Sequence, residues 1–316
     1  MNPKTKIALL ALASAVLIAL FLTVQAGGNW GYVLERRGLK VAAIVLTAAA
    51  IAFSTVVFQT VTNNRILTPS IIGLDSLYML TQTFIIFVFG SLHIALVDPN
   101  LNFVLSVGLM VGFALALYRF MFKREGRNIY FLLLVGIVLG SLFGSLTTFM
   151  EVLIDPDEFL VVQGKMFASF NRMNTKVFAV AVVLMAGAAA YSIRYVKYLD
   201  VLALGRDHAI NLGIGYNAVV KRLLVVVAVL TSISTALVGP ITFLGLLVAN
   251  IAYQFMKTHR HGYLIWSSIL IGIVALVGGQ LVVERVFTFS TTISVIINLF
   301  GGVYFLYLLL KESKSW

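Results

Sequence analysis

The chain has 316 residues, of which 60% are hydrophobic and 11% charged, with a formal net charge of +11 and no cysteine. That balance excludes a soluble globular domain, which runs near about 25% charged, and a disordered chain, which is polar. The absence of cysteine excludes a disulfide scaffold, a Cys-ligated zinc site and an iron–sulfur cluster.

What remains is an all-α integral membrane protein, read as one domain over residues 1–316. A membrane-spanning helix needs about 20 apolar residues. Ten segments qualify: 7–24, 41–61, 71–90, 101–122, 129–150, 177–193, 219–238, 241–256, 263–283 and 293–310. The first follows Lys4 and Lys6 and ends at Val24-Gln25-Ala26, which also fits a signal-peptide cleavage site. Its 18 apolar residues exceed a usual signal core of roughly 7–15, so a retained helix is expected. The third segment carries Asp75 and Gln82. The eighth is short, opens at Gly239-Pro240 and contains Asn250.

Loop charges give the orientation. With both termini inside, the inner segments hold Lys4, Lys6, Arg65, Arg119, Lys123, Arg124, Arg127, Arg194, Lys197, Arg206, Lys221, Arg222, Lys257, Arg260, Lys311 and Lys314, 16 of the 23 basic residues. The outer segments hold Arg36, Arg37, Lys40, Lys165, Arg172, Lys176 and Arg285. This is the positive-inside bias, and it explains the net charge without nucleic acid.

Between segments two and three, Pro69 and Gly73 interrupt the helix. Gly239-Pro240 does the same before segment eight. Segments two to five and seven to ten therefore fit an inverted repeat with an interrupted second member in each half. Segment five carries Gly136, Gly140 and Gly144 at a spacing of four, beside Ser141, Ser145, Thr147 and Thr148. Such a stripe serves close helix packing or forms a smooth wall along a solute pathway. The longest inner loop holds Leu204-Gly205 and Ala209 to Gly213. Ala209 and Leu212 are placed on one face of a short helix, Gly213 ends it, and Asn217 caps the next helix. Two short surface helices there would be a lever for a partner or a connector lying at the headgroups.

Ionisable residues within the spans are few: Asp75, with His93 and Glu151 at outer ends. Asp75 fits the first turn of a helix. His259 and His261 flank Arg260 in an inner loop and read as a basic anchor, not a metal site. No G-x-x-x-x-G-K-[ST] loop, nucleophile elbow or zinc-protease helix occurs. ATP, if used, is bound by another subunit, and no catalytic residue, metal or cofactor is expected.

At these residues the chain resembles the FecCD/BtuC-type permease family of ATP-binding-cassette (ABC) importers for iron–siderophore complexes, haem and cobalamin. The family's Asn-Pro-Leu-Ala-x-Pro-x-x-x-Gly is similar to Asn64 through Gly73, and its Gly-Pro-Ile-x-Phe-x-Gly-Leu-x-Val-Pro-His to Gly239 through Asn250. Its cytoplasmic Leu-Gly…Ala-x-x-Leu-Gly is similar to Leu204-Gly205 and Ala209 to Gly213, and its Gly-Ile-x-Leu to Gly136 to Leu139. Arg65, Ala249-Asn250, the segment Ser290 to Ser294 and Gly301-Gly302 depart from the family pattern and point to the siderophore branch.

The resemblance implies about ten membrane helices with short cytoplasmic coupling helices between the sixth and seventh. It implies a second permease copy or paralogue, two cytoplasmic P-loop ATPases, an extracytoplasmic siderophore-binding protein, and surrounding lipid in a bacterial cell membrane. Leu204, Gly205, Ala209, Leu212 and Gly213 become the ATPase-coupling site. Gly136, Gly140 and Gly144 become pathway residues. Arg37, Lys40 and Arg285 become binding-protein docking residues. The alternative is a secondary transporter driven by an ion gradient.

Overall fold

Each of the ten apolar segments becomes a helix. The computed structural model describes residues 2–24, 30–122, 129–171 and 173–313. Gln25, Ala26, Lys123, Arg124, Arg127, Arg172 and Lys314 lie outside the described residues, as does the side chain of Lys311. The helices are α1 (Pro3–Thr23), α2 (Trp30–Thr62), α3 (Leu74–Phe89), α4 (Ile94–Val97), α5 (Pro99–Phe122), α6 (Ile129–Leu153), α7 (Pro156–Met166), α8 (Thr175–Leu202), α9 (Arg206–Asn211), α10 (Tyr216–Val238), α11 (Leu244–Met256), α12 (His261–Arg285) and α13 (Ile293–Ser313), with a 3₁₀ turn at Pro69–Ile72. α2 starts at Trp30, well before the expected 41, while α3 and α11 start three residues later than expected. The short α4 and the amphipathic α7 were not legible as helices. α7 has Asp157 and Glu158 in its first turn and Lys165 in its last, which suits the helix dipole.

Among the described residues, seven helices are long and apolar enough to cross a membrane, and α3, α11 and the Ile293–Leu308 part of α13 are shorter. The 16 residues of α3 and 13 of α11 rise only about 24 and 20 Å. A hydrocarbon core is about 30 Å thick. The interrupted segments before them supply the missing depth. Irregular backbone is tolerated there only when protein covers it.

Glycine provides that cover. Gly73 is left-handed (φ +88°), and a Cβ on it would lie 2.9 Å from Gly140 Cα. A Cβ on Gly136 would lie 2.8 Å from Ile72 Cα, and one on Gly140 would lie 3.2 Å from Gly73 Cα. The 3₁₀ turn and the start of α3 thus lie backbone to backbone on α6. The second half repeats the device. Gly301 of α13 faces Phe243, with a would-be Cβ 2.5 Å from Phe243 Cβ. Gly239 (φ +100°) meets Ala168, whose Cα would be 2.9 Å from an added Cβ. Helix pairing follows the same rule in both halves: α2 packs on α12 as α10 packs on α5, and α3 on α6 as α11 on α13.

Several buried polar side chains are satisfied across helices. Gln82 donates to Ser106 Oγ (2.9 Å), and Asn102 donates to Gln82 Oε1 (3.1 Å) and to Ala95 O (3.0 Å). Asn250 donates to Arg65 O at 2.9 Å, joining α11 to the loop after α2. These bonds explain how Gln82 and Asn250 sit in apolar segments. α1 packs along α12. Its Ser14 donates to Leu270 O (3.3 Å) and Lys6 Nζ to Phe255 O (2.6 Å).

The packing makes opposite predictions for the glycines at the α6 contact and for Gly144. Gly73→Ala or Gly140→Leu should destabilise the detergent-purified protein by at least about 1–3 kcal/mol, through strain and overpacking. Gly144 has nothing within 4 Å of a would-be Cβ. Gly144→Ala should leave the unfolding midpoint unchanged or raise it slightly, since Ala is the better helix former by roughly 0.5–1 kcal/mol. Thermal unfolding of the three variants checks this.

Candidate functional site

The loop from α8 to α10 is built by its glycines. Gly205 (φ +96°) follows the last turn of α8 and opens α9. Gly213 (φ +81°) closes α9: its N–H bonds Ile210 O at 2.9 Å, and the Ile214 N–H bonds Ala209 O at 3.0 Å. This bond pair is the Schellman stop, which favours glycine at its left-handed position. The loop holds one six-residue helix where the sequence reading allowed two, because residues from Tyr216 onward join α10. Asn217 does not cap α10; Gly215 holds the cap position without a side-chain bond.

Ala209 and Leu212 do not share a face. Ala209 is fully buried against the α8 and α10 core, whereas Leu204, Ile210 and Leu212 are 58%, 44% and 63% exposed. Three apolar side chains therefore project from the end of the molecule while Ala209 anchors the element. Ile210 was missed by sequence reasoning; its place between Ala209 and Leu212 was the only signal. Gly205 also lies beside Asn63, with a would-be Cβ 4.0 Å from Asn63 Nδ2.

Beneath this element is a polar knot. His261, expected as part of an exposed basic anchor, is buried as the first residue of α12. Its Nδ1 lies 2.7 Å from Asp200 Oδ1 and its Nε2 2.8 Å from Thr60 Oγ1, while Asp200 Oδ1 also accepts the His261 N–H at 2.8 Å. Asp200 is in the last turn of α8, so the helix that leads into α9 is fastened to α2 and α12. The Arg65 guanidinium carbon lies 4.8 Å from the Tyr253 ring centre, a cation–π contact that ties the same loop to α11.

On α6, Gly136 and Gly140 face the 3₁₀ turn and α3, and only Gly144 opens outward. Ser141, Ser145 and Thr148 are exposed on that helix, a polar line beside exposed Leu142 and Leu146.

At the opposite end Arg37, Lys40 and Arg285 come together. Each has a partner within the chain. Arg37 Nη1 donates to Phe21 O (3.1 Å), Leu22 O (3.1 Å) and Val24 O (2.8 Å), and Arg285 Nη2 donates to Val24 O (2.8 Å). They fasten the last turn of α1, whose carbonyls lack helical partners. Lys40 Nζ bonds Glu284 Oε1 at 3.1 Å, and Gln280 holds the same oxygen at 2.8 Å. Arg36, Arg37, Lys40, Asn171, Gln280 and Phe289 border a recess of about 460 Å³. No group of three or more His, Asp or Glu able to hold a metal occurs among the described residues.

The sequence matches the FecCD transport family over residues 6–311. The chain belongs to that family. It is 63% identical over 316 residues to the petrobactin import system permease protein YclO of Bacillus subtilis, covering all of both chains. It is 37% identical over 280 residues to the petrobactin import system permease protein FatC of Bacillus anthracis, covering 89% of this chain and 79% of that protein. Its fold superposes with a TM-score of 0.84 on a metal-chelate type ABC transporter solved in an inward-facing conformation, at 20% identity and over 98% of this chain and 100% of that one. With its apolar helices, the family member is a multi-pass membrane protein.

The arginine contacts carry a prediction of their own. Replacing Arg37 and Arg285 together by Ala should loosen the end of α1. Amide exchange should rise at residues 20–24 and stability should fall by roughly 1.5 kcal/mol or more, the scale of hydrogen bonds to charged groups. Unchanged exchange there would assign these arginines to some other task.

Proposed function

We propose that this chain is the membrane-spanning permease subunit of an ATP-binding-cassette importer, carrying iron–siderophore complexes into the cytoplasm of a bacterial cell. The end-to-end 63% identity with a petrobactin import permease carries the reading. The relatives are named as permease proteins of import systems, which favours a subunit driven from outside over a carrier that runs on an ion gradient. In this reading residues 1–316 act as one permease domain with both termini in the cytoplasm, as the loop charges favour.

ATP is bound and hydrolysed by a separate pair of subunits on the inner face. The α9 element is their contact: Leu204, Ile210 and Leu212 offer apolar surface to a partner, while Gly205, Ala209 and Gly213 hold the element's shape. Nucleotide-driven closure of the partners shifts the permease between two arrangements. The push passes from α9 through the Asp200–His261–Thr60 knot and the residue 63–66 loop to the interrupted segments and α6. A second permease copy or a paralogue covers the exposed faces of α6 and α13. The solute passes between them along Gly144, Ser141, Ser145 and Thr148. Gly136 and Gly140 serve the pathway indirectly, by setting the position of α6. A binding protein docks at the outer end, where Arg37 and Lys40 border the basic recess and Arg285 meets Arg37 at the Val24 carbonyl. Because these residues also pin α1 and Glu284, charge reversal there strikes docking and anchoring together.

Changing Leu204, Ile210 and Leu212 together to Ser tests the contact. These side chains are exposed, so insertion and thermal unfolding should match wild type. Co-purification of a soluble P-loop ATPase should be lost, and ATP-dependent ferric siderophore uptake should fall roughly tenfold or more, as for the apolar centre of an interface. Intact co-purification and uptake would remove α9 as the coupling site.

A further inference from the structure

Where the two interrupted segments meet, both halves of the chain enclose a small polar cavity of about 20 Å³. Thr55 comes from α2, Ser70 from the 3₁₀ turn, Asp75 from the first turn of α3, and Thr231 and Thr235 from the last two turns of α10. The space takes one water-sized particle. Gly245 of α11 completes the wall, where any side chain would overlap Thr55 Oγ1.

Burial works against a charge on Asp75, and three features work for it. Thr235 Oγ1 donates to its Oδ1 at 3.0 Å. The Ser70 hydroxyl also hydrogen-bonds the carboxyl group. The N-terminal turn of α3 presents its positive dipole end to the same charge. A carboxylate at membrane depth needs a counter-charge. No Lys, Arg or His lines the cavity, and every polar side chain in its wall is a hydroxyl or this carboxylate. Thr231 is buried, and its Oγ1 has no hydrogen-bond partner. The last turn of α10 adds carbonyl partial charges of the same sign as the carboxylate.

We propose that this cavity binds one sodium ion, held by Asp75 and the hydroxyl oxygens of Thr55, Thr231 and Thr235. The ligands are all hard oxygens, and a single negative charge neutralises a monovalent ion but leaves a divalent one uncompensated. Half-helix ends and interrupted segments within a membrane are a recurrent setting for such an ion. The ion joins the start of α3 to the end of α10, so it pins the two halves of the chain at their pseudo-symmetric breaks. Its role is to hold this arrangement, not to fuel transport, and the inference does not rest on the function proposed above.

The test uses the full-length purified protein in detergent at constant pH and ionic strength. Equilibrium binding of ²²Na⁺ should show about one site per chain, displaced by unlabelled sodium and not by choline. The unfolding midpoint should rise with NaCl relative to choline chloride, since a ligand of the folded state stabilises it. Asp75→Asn should weaken sodium binding at least about tenfold and abolish the sodium-dependent rise. Thr231→Val, which only removes an unpartnered hydroxyl, should weaken binding several-fold with its midpoint in choline unchanged. If Asp75→Asn does not fold, the wild-type isotherm and Thr231→Val decide the matter. Wild-type protein that binds no more ²²Na⁺ than a choline-saturated control overturns the proposal. So does a midpoint that follows pH but not sodium, which assigns a proton to Asp75.

Discussion

The contact on which the rest depends is that of Gly73 with Gly136 and Gly140. A broken helix exposes N–H and C=O groups that a bilayer cannot satisfy. The chain solves this by laying the broken segment against α6 so closely that no Cβ fits between them. The same solution recurs at Phe243 with Gly301 and at Gly239 with Ala168. Because Gly73 meets Gly140, and Gly136 meets Ile72, backbone to backbone, α6 cannot shift without the 3₁₀ turn and the start of α3. That turn is continuous with the residue 63–66 loop, which meets α9 at Gly205 and α11 at Asn250. A mechanical route from α9 to α6, as the proposed function needs, therefore requires no long flexible element. It consists of stiff pieces with close contacts, the kind of packing that moves between discrete arrangements.

Much of the fold was legible because hydropathy and interruption are strong signals. The ten apolar runs became helices, and Pro69, Gly73 and Gly239 marked the breaks. Gly213 announced its own helix stop, since few other residues take φ +81° without strain. The start of α2 was not legible, because residues 30–40 mix charge with apolar side chains and hold two glycines. The short α4 and α7 lacked the length that periodicity needs.

The site was less legible, for physical reasons. Glycine spacing alone does not say which glycine meets a backbone: Gly136 and Gly140 do, and Gly144 does not. Three-residue spacing placed Ala209 and Leu212 together, but the tight turn at the end of α9 rotates Leu212 outward. The outer arginines stood out because they defy the positive-inside trend. That trend says only that something outside the usual rule holds them. In the structure it is, in part, the carbonyl end of α1. His261 looked like a surface residue because its partner Asp200 is 61 positions away in sequence.

In the function proposed, the chain is a conduit worked through α9 by a separate ATPase. The most direct measurement is solute accumulation in sealed vesicles that hold this chain and its permease partner, with and without the ATPase pair and the binding protein. The account predicts no uphill uptake of a ferric siderophore under any ion gradient until ATPase, ATP and binding protein are all supplied. Uphill accumulation by the permease alone would contradict it.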